Sequence, residues 1–340
     1  MPQNSYIKNK PSNIPVTILT GFLGAGKTTL LNHILTNQKG LKSAVLVNEF
    51  GEIGIDNDLI IKTDDDIVEL TNGCICCTIN GELLETINKV LDNNKDIEYL
   101  IVETTGLADP LPVAMTINTA REKLRLDSII TLVDAENFNE NTLDSQIVRS
   151  QIIYGDILLV NKCDLVSEKR LSEIEVKLSA IKAEAKILRC VKGDIPLPLL
   201  LSVGLFQSDF IATNNHKHKH EHEHEHEHEH EELSIEGFTS FSFQSKFPFS
   251  LKKFQYFLDN QLPPSVYRAK GLLWFEGSEI THVFHLSGKR FTMEDSETSR
   301  AKENKIVLIG QKINHKELHE QIKNCVCYKK NNKPEELCEE

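Results

Sequence analysis

A glycine-rich segment near the amino terminus has the residue types and the spacing needed to hold phosphate groups. The run GFLGAGKTT at 21–29 fits the pattern G-x-x-x-x-G-K-[ST], and it separates the apolar stretch IPVTILT from the amphipathic stretch TLLNHILTN. This order predicts a strand, a loop and a helix, which is the context in which the pattern binds phosphate. Its glycines let backbone N–H groups face the phosphates, and the start of the helix adds a partial positive charge. We therefore expect Lys27 to span the β- and γ-phosphates and the Thr28 hydroxyl to bind Mg²⁺.

A second nucleotide signal lies far downstream, after the apolar run DILLV. There the chain reads Asn161-Lys162-Cys163-Asp164. The carboxylate of Asp164 can accept hydrogen bonds from N1–H and from the 2-amino group of guanine, whereas adenine offers neither pairing. The aliphatic stem of Lys162 can lie on the base. An N-K-x-D run alone is a weak signal, but at a strand end downstream of a phosphate-binding loop it predicts GTP in preference to ATP.

Between these two motifs, the segment YLIVETTGLADP predicts a strand that ends in an acidic residue, Glu103. A carboxylate at this position polarises the Mg²⁺ shell, directly or through water, and glutamate in place of the usual aspartate favours the water-mediated role. The N–H group of Gly106 can sense the γ-phosphate. Lys27, Glu103 and Gly106 are therefore the candidate catalytic groups. The sequence does not place an arginine finger or a catalytic glutamine, so hydrolysis without a partner is expected to be slow.

A cysteine cluster follows the phosphate-binding loop, in the turn TNGCICC. Its three thiols, Cys74, Cys76 and Cys77, are suited as thiolates to Zn²⁺, Cu(I) and other soft or borderline ions. Three sulfurs leave a fourth tetrahedral position open, which suits transfer of the metal better than storage. Glu49 and Glu52, in the loop VNEFGEIGID, are candidate additional ligands. The alternatives are three buried thiols without a metal and a solvated face for the two glutamates.

Residues 216–232 alternate histidine with charged residues, in the order HKHKHEHEHEHEHEHEE. This tract has eight of the 13 histidines and no apolar residue, so it cannot offset the entropy of ordering and is expected to be disordered. We interpret it as a low-affinity store for Zn²⁺, Ni²⁺ or Co²⁺, because neutral imidazole is the commonest metal ligand. The alternative is an acidic linker.

The elements that must position the first three motifs alternate between apolar strands and amphipathic helices, as in βαβ units. The strand runs AVLVN, YLIVE and DILLVN are continuously apolar, which indicates a mainly parallel sheet with both faces covered. We predict strands at 16–20, 44–48, 99–103, 128–134, 156–161 and 186–189, and helices at 28–37, 82–91 and 167–182.

The last third of the chain predicts a smaller α+β domain with one sheet. Its expected strands lie at 239–243, 265–275, 281–286 and 305–309, and its expected helices at 251–261 and 315–324. In the stretch THVFHL, one of His282 and His285 is expected to be packed and the other solvated. The expected segments are a flexible amino terminus (1–13), an α/β domain (14–205), a disordered linker (206–232), the α+β domain (233–328) and a tail (329–340).

Composition excludes several classes of function. The chain has 340 residues, a net charge of −12 and 6% aromatic residues, so a nucleic-acid partner is not expected. No apolar run is long enough to span a membrane, and no secretory signal is visible. The eight cysteines are bunched, which is typical of cytoplasmic thiols or metal ligands rather than a disulfide framework. Cys325, Cys327 and Cys338 form either a further thiol site or free thiols.

Together these motifs resemble the CobW-type family of metallochaperone GTPases. The resemblance rests on TGFLGAGKTTLLNHIL, VNEFGEIGID, TNGCICC, ETTGLADP, NKCD and YRAKGLLWFEG, and it covers nearly the whole chain outside the histidine tract. It implies a P-loop GTPase domain with a mainly parallel sheet, a smaller C-terminal domain, and delivery of zinc or cobalt to a client metalloprotein. It also allows a nucleotide-dependent homodimer. The cysteine in the N-K-C-D run, Cys163, is a departure from the family at a variable position of the motif. Its thiol is expected to be structural.

The resemblance further implies which residues bind each ligand. GTP would be bound through its phosphates and through guanine, and the metal through the cysteine cluster. The residues expected to bind nucleotide are Gly21, Gly24, Ala25, Gly26, Lys27, Thr28, Thr29, Asn161, Lys162 and Asp164. These motifs do not distinguish a zinc-delivering member of the family from an accessory GTPase of cobalamin synthesis.

Two other functions compete with a metal-delivering GTPase. The protein could be a metal buffer that uses the histidine tract, with GTP only stabilising the fold. It could also be a regulatory GTPase without a metal role. The position of Cys74, Cys76 and Cys77 inside the GTPase domain favours nucleotide-controlled delivery, because a buffer needs only the tract and a regulatory GTPase leaves the cysteines unexplained.

Overall fold

The structure, a computed structural model, describes residues 13–38, 41–47, 67–71, 79–201, 238–296 and 302–328. For 67–71 and 79–82 it describes the backbone alone. None of the helices in these ranges has the length and apolar character needed to cross a bilayer.

The amino-terminal domain contains a seven-stranded sheet in the order β3-β2-β4-β1-β5-β6-β7, and every neighbouring pair is parallel. Its strands are β1 (Ile14–Gly21), β2 (Ser43–Val47), β3 (Ile67–Thr71), β4 (Tyr99–Glu103), β5 (Leu124–Asp134), β6 (Ile157–Asn161) and β7 (Ile187–Arg189). Its helices are α1 (Lys27–Asn37), α2 (Ile79–Asn93), α3 (Pro110–Thr119), α4 (Glu140–Asp144), α5 (Gln146–Tyr154), α6 (Glu168–Ile181) and α7 (Leu197–Leu200).

Apolar side chains cover both faces of this sheet. All eight residues of β1 are buried. One face packs against Leu30, Leu31 and Ile34 of α1, and the other packs against buried residues of α2, α3, α5 and α6. Because neither face meets water, the strands are continuous apolar runs. The predicted α/β fold with a parallel sheet is confirmed.

The carboxy-terminal domain contains a five-stranded antiparallel sheet in the order β11-β10-β9-β12-β8. One face of it packs against two helices through a core rich in phenylalanine, which includes Phe241, Phe249, Phe254, Phe257 and Phe284. The α+β prediction for this region is confirmed. The elements are β8 (Phe238–Ser245), α8 (Leu251–Tyr256), which continues as a π-helical turn (Phe257–Gln261), β9 (Val266–Trp274), β10 (Thr281–Ser287), β11 (Arg290–Asp295), β12 (Asn304–Gln311) and α9 (His315–Lys323).

Several elements were not predicted from the sequence, namely β3, α3, α4, α5, α7 and β11. The helix α3 contains two prolines, Pro110 and Pro112, which suggest a loop. Both prolines lie in the first turn, where a missing N–H costs nothing, and Asp109 caps the helix by accepting a hydrogen bond from the Leu111 N–H.

One of the two histidines of β10 was expected to be packed and the other solvated. The structure agrees, because His285 is buried whereas His282 is partly exposed and hydrogen-bonded to Asp295.

A buried ion pair joins the two domains near the amino ends of the parallel strands. Val16 pairs with Leu126 and Thr17 with Ser128, so Asp127 is the extra residue of a β-bulge, a device that redirects a side chain. Arg268 of β9 is 1% exposed and donates to an Asp127 carboxylate oxygen at 2.7 Å.

Further hydrogen bonds satisfy both partners of this pair. Arg268 also donates to Ser128 Oγ at 2.9 Å, to the Leu199 carbonyl at 2.9 Å and to the Leu200 carbonyl. Tyr99 donates to Asp127 at 2.5 Å. Burial alone would raise the pKa of Asp127, but the nearby arginines and the Tyr99 hydroxyl hold that pKa below its usual range.

Removing Arg268 should therefore weaken the folded state strongly. We expect Arg268→Ala to lower the free energy of unfolding by about 3–5 kcal/mol, because it leaves the Asp127 carboxylate buried without its main counter-ion. Urea denaturation measures this loss. The control is Lys177→Ala, which removes a 3.1 Å ion pair with the exposed Glu140 and should cost about 0–1 kcal/mol. Equal losses of unfolding free energy in the two variants would contradict a stabilising role for the buried Arg268–Asp127 ion pair.

Candidate nucleotide site

Four strands of the first sheet end beside one another at the carboxyl edge, and each ends in a residue of interest. β1 ends at Gly21, β4 at Glu103, β5 at Asp134 and β6 at Asn161. In open parallel sheets, ligands bind in the crevice at this edge. The phosphate-binding, acidic and N-K-x-D motifs are therefore brought together as the sequence predicted.

The phosphate-binding loop connects β1 to α1 in a conformation that requires glycine. Gly21 and Gly26 have φ of 137° and 100°, values that residues with a side chain rarely adopt. A Cβ on Gly26 would lie 2.4 Å from the Asn161 side chain, and one on Gly21 would lie 2.4 Å from the Leu132 carbonyl oxygen. The loop is thus packed directly against β5 and β6. Gly24 and Ala25 lie within it, and Thr29 is exposed on the first turn of α1.

The first turn of α1 is arranged to accept an anion. It contains no acidic residue, and Gly26 provides no side-chain cap, so its N–H groups have no capping side chain. The buried Lys27 donates from Nζ to the Gly21 carbonyl at 3.0 Å and to the Phe22 carbonyl at 3.2 Å. The ammonium group is therefore held against the loop whose N–H groups would contact phosphate.

The residues expected to hold Mg²⁺ are in contact with each other. Thr28 donates from Oγ1 to Glu103 Oε1 at 3.2 Å, and Glu103 is only 4% exposed. A hydroxyl and a carboxylate at one position are the oxygen ligands that Mg²⁺ takes beside substrate phosphates. This pair of side chains fits the ion.

The loop after β4 touches the phosphate-binding loop. A Cβ on Gly106 would lie 2.6 Å from the Leu23 backbone nitrogen, so only glycine allows this approach. The buried Gln151 of α5 donates to the Gly106 carbonyl at 3.2 Å and to the Ala108 carbonyl at 3.0 Å. Gln151 was not identified from the sequence, because no motif marks it and its contacts are made only in the fold.

Asn161 connects three segments through its side chain. Its amide donates to the Ala25 carbonyl at 3.0 Å, and its carbonyl oxygen accepts from the Gly193 N–H at 3.1 Å and from Cys190 Sγ at 3.3 Å. Both polar atoms of Asn161 are thus engaged within the protein, which gives it a positioning role between the phosphate-binding loop and the loop after β7. The 190–193 loop was not predicted as part of the site.

Lys162 and Asp164 project from the turn after β6. Lys162 has φ of 62° and its Nζ lies 2.7 Å from Asp134 Oδ2. Burial tends to raise the pKa of Asp134, but hydrogen bonds from Asn137 and Lys162 lower that pKa overall. Asp164 is exposed in a short 3-10 turn (Cys163–Leu165), where its carboxylate is accessible. Asp134 was not predicted as a site residue, although a carboxylate that ends the strand run TLVD was an available signal.

The thiols of the described residues are free. Cys163 is half-buried and donates to the Val160 carbonyl at 3.2 Å, and burial raises its pKa, which agrees with a structural thiol. Cys325 is buried, and Cys327 donates to Glu276 at 3.3 Å.

The residues expected to bind the transferred metal lie outside the described residues. These are Cys74, Cys76, Cys77, Glu49 and Glu52, together with the histidine tract and Cys338. Among the residues that the structure describes, no group of three or more His, Cys, Asp or Glu side chains could hold a metal ion.

Sequence and structure comparisons identify relatives over most of the chain. The relatives include a zinc-regulated GTPase metalloprotein activator 1 from Dictyostelium discoideum, which is 32% identical over 82% of this chain and 67% of its own length. They also include the zinc chaperone YjiA from Escherichia coli, 36% identical over 80% of this chain and 85% of its own length. The crystal structure of Zn(II)-bound YjiA GTPase is 28% identical, with a TM-score of 0.44, and covers 92% of this chain and 99% of that one.

Family models match both domains. The model described as cobalamin synthesis protein cobW C-terminal domain matches residues 238–326. The model described as CobW/HypB/UreG, nucleotide-binding domain, matches residues 15–189, which is more than half of the chain. With its phosphate-binding loop, Thr28–Glu103 pair and N-K-C-D turn at one sheet edge, the chain belongs to the CobW/HypB/UreG family.

Proposed function

We propose that the protein is a GTP-hydrolysing metallochaperone, which binds zinc at Cys74, Cys76 and Cys77 and delivers it to a client protein under control of the bound nucleotide. One observation carries the proposal: the strand that leads into the cysteine motif ends in the same row as Glu103. Val47 is in register with both Thr71 and Glu103. The metal motif therefore begins at the same sheet edge as Glu103, two strands away.

The distances involved are short. Neighbouring strands lie about 4.8 Å apart, so Thr71 and Glu103, two strands apart, are separated by about 10 Å. Cys74 follows Thr71 by three residues, which span at most about 10 Å of extended chain. The segment that contains Glu49 and Glu52 leaves the same row after Val47. A change at the γ-phosphate can therefore act on both metal-binding segments through short connections.

Binding and hydrolysis of GTP are assigned to the carboxyl edge of the first sheet. Lys27 and the first turn of α1 bind the phosphates, Asp164 recognises guanine, and Lys162 supports the base. Thr28 and Glu103 hold Mg²⁺, which when bound neutralises charge on the phosphates. Gly106, fixed by Gln151, presents its N–H to the γ-phosphate. We propose that turnover is slow without the client.

Zinc is favoured as the transferred metal because thiolates bind it well and because relatives are named as zinc chaperones. Glu49 or Glu52 would supply the fourth ligand in one nucleotide state and release it in the other. Cobalt is the alternative metal. A cytoplasmic location is part of the proposal, since free thiolate ligands need a reducing compartment.

Guanine selectivity tests the nucleotide assignment. Asp164→Asn should weaken GTP binding about 10- to 100-fold, since a hydrogen bond to a charged group contributes about 1.5–3 kcal/mol, and should leave weak ATP binding unchanged. Asn161→Ala should weaken both nucleotides alike, because Asn161 positions loops. Binding of GTP and ATP analogues with Mg²⁺ gives these constants, and Asp259→Asn, on an exposed residue of the other domain, is the control. Equal affinity of the unsubstituted protein for GTP and ATP would contradict the assignment.

Loss of the cysteines tests the metal assignment. Cys76→Ser/Cys77→Ser should remove the tightest zinc site, measured by competition with a chelator strong enough to strip histidine sites, and should leave GTP affinity in the absence of zinc unchanged. Zinc binding should release protons and weaken as pH falls, because thiolate ligation requires proton loss. Cys327→Ser is the matched control. Retention of tight zinc in the double variant, or its loss in the control, would place the site elsewhere.

A further inference from the structure

The last residue of β5, Asp134, lies beside the turn that contains the N-K-C-D run. Asp134 is in register with Asn161, the last residue of β6, and the Ala135 N–H donates to the Asn161 carbonyl at 3.0 Å. Lys162 follows Asn161 directly, and its Nζ donates to Asp134 Oδ2 at 2.7 Å. A carboxylate on one strand is thus fixed beside the point where the lysine of the motif leaves the next strand.

Both oxygens of the Asp134 carboxylate are held by donors from its own loop. Oδ1 accepts from the backbone N–H groups of Glu136 at 3.0 Å and Asn137 at 3.2 Å. Oδ2 accepts from the Asn137 side-chain amide at 2.9 Å, in addition to the Lys162 ammonium. These hydrogen bonds set the orientation of the carboxylate, with Oδ2 facing Lys162.

Lys162 has a conformation that depends on its surroundings. Its φ of 62° lies in the left-handed region, which costs free energy in a residue with a side chain and persists where neighbouring contacts impose it. Its long side chain also loses conformational entropy when it is held in one orientation. Within the described part of the chain, the Lys162 ammonium donates to Asp134 alone. Asp134 is therefore the group that selects the direction of the Lys162 side chain.

This ion pair is better shielded from water than an ordinary surface pair. The side chains of Asp134 and Lys162 are 9% and 28% exposed, whereas Glu140 in its 3.1 Å pair with Lys177 is 85% exposed. Exposed pairs are screened and contribute little. Burial tends to raise the pKa of Asp134, but hydrogen bonds from Asn137 and Lys162 lower that pKa overall. The carboxylate is therefore charged at neutral pH and attracts the lysine.

We propose that Asp134 is a positioning residue for base recognition, which anchors the Lys162 ammonium so that the aliphatic stem of Lys162 is presented to the face of the base. The inference rests on the proposed function, in which Lys162 supports the base and Asp164 recognises guanine. The two aspartates then differ in effect. Asp164 accepts from N1–H and the 2-amino group, whereas the lysine stem packs on a ring face that guanine shares with hypoxanthine. Asp134 therefore acts alike on GTP and on ITP, which lacks the 2-amino group.

The test is a double-mutant cycle on the affinities of the full chain for GTP and ITP with Mg²⁺. Asp134→Asn can keep an oxygen on the backbone N–H groups of its loop, but it turns an amide NH₂ toward the Lys162 ammonium. We expect this variant to weaken GTP and ITP by the same factor, about three- to tenfold. Lys162→Met, which retains an apolar stem without its anchor, should weaken both similarly. Adding Asp134→Asn to Lys162→Met should then change either affinity by less than about twofold.

Glu140→Gln is the matched control, because it removes only the exposed pair with Lys177 and should leave both affinities unchanged. Asp164→Asn should weaken GTP more than ITP, and failure of that result alone would contradict guanine recognition rather than the role of Asp134. A purely structural Asp134 would give the same loss with and without Lys162→Met, and that outcome, or a loss confined to GTP, would overturn the proposal. If Asp134→Asn does not fold, Lys162→Met decides, since unchanged affinities in that variant would overturn the proposal equally.

Discussion

The parallel register of β3, β2, β4 and β1 is the constraint on which the proposed function depends. In a parallel sheet all strands end at one edge, so Thr71, Val47, Glu103 and Leu19 stand in a single row. Three segments with different chemistry leave that row: the cysteine motif, the glutamate segment and the loop with Gly106, which we propose contacts the γ-phosphate. Sites for a nucleotide and for a transferred metal can therefore be coupled without long-range rearrangement.

The opposite edge of the sheet, at the amino ends of the strands, contacts the carboxy-terminal domain. There the bulge at Asp127 turns a carboxylate toward Arg268, and Tyr99 connects that carboxylate to Thr17 of β1 through hydrogen bonds of 2.5 and 2.8 Å. The same strand, β1, leads into the phosphate-binding loop at its other end. The hydrogen bonds at the domain junction and the phosphate-binding loop thus lie at opposite ends of the same strand.

The parts of the site that are local in the chain could be predicted from the sequence. The phosphate-binding loop, Glu103 and the N-K-C-D turn each carry their chemistry within a few residues, beside a strand that periodicity identifies. Gln151, Asp134 and the 190–193 loop were missed because their roles come from contacts between segments far apart in sequence. Arg268 and Asp127 are 141 residues apart, and the bulge that orients Asp127 leaves no pattern in the sequence. Asn161 is predicted to bind nucleotide, and the structure adds that its side chain hydrogen-bonds the phosphate-binding loop and the loop after β7.

The dissociation constant of Zn²⁺ in the apo, GDP-bound and GTP-analogue-bound protein tests nucleotide-controlled metal release most directly. Coupling between two sites typically changes affinity about 5- to 150-fold, and the factor is reciprocal. We expect Zn²⁺ affinity to differ at least about fivefold between the GDP and GTP-analogue states. The factor between the apo and GTP-analogue states should equal the factor by which saturating Zn²⁺ changes GTP-analogue affinity. Identical Zn²⁺ dissociation constants in all three states would contradict control of the metal by the nucleotide.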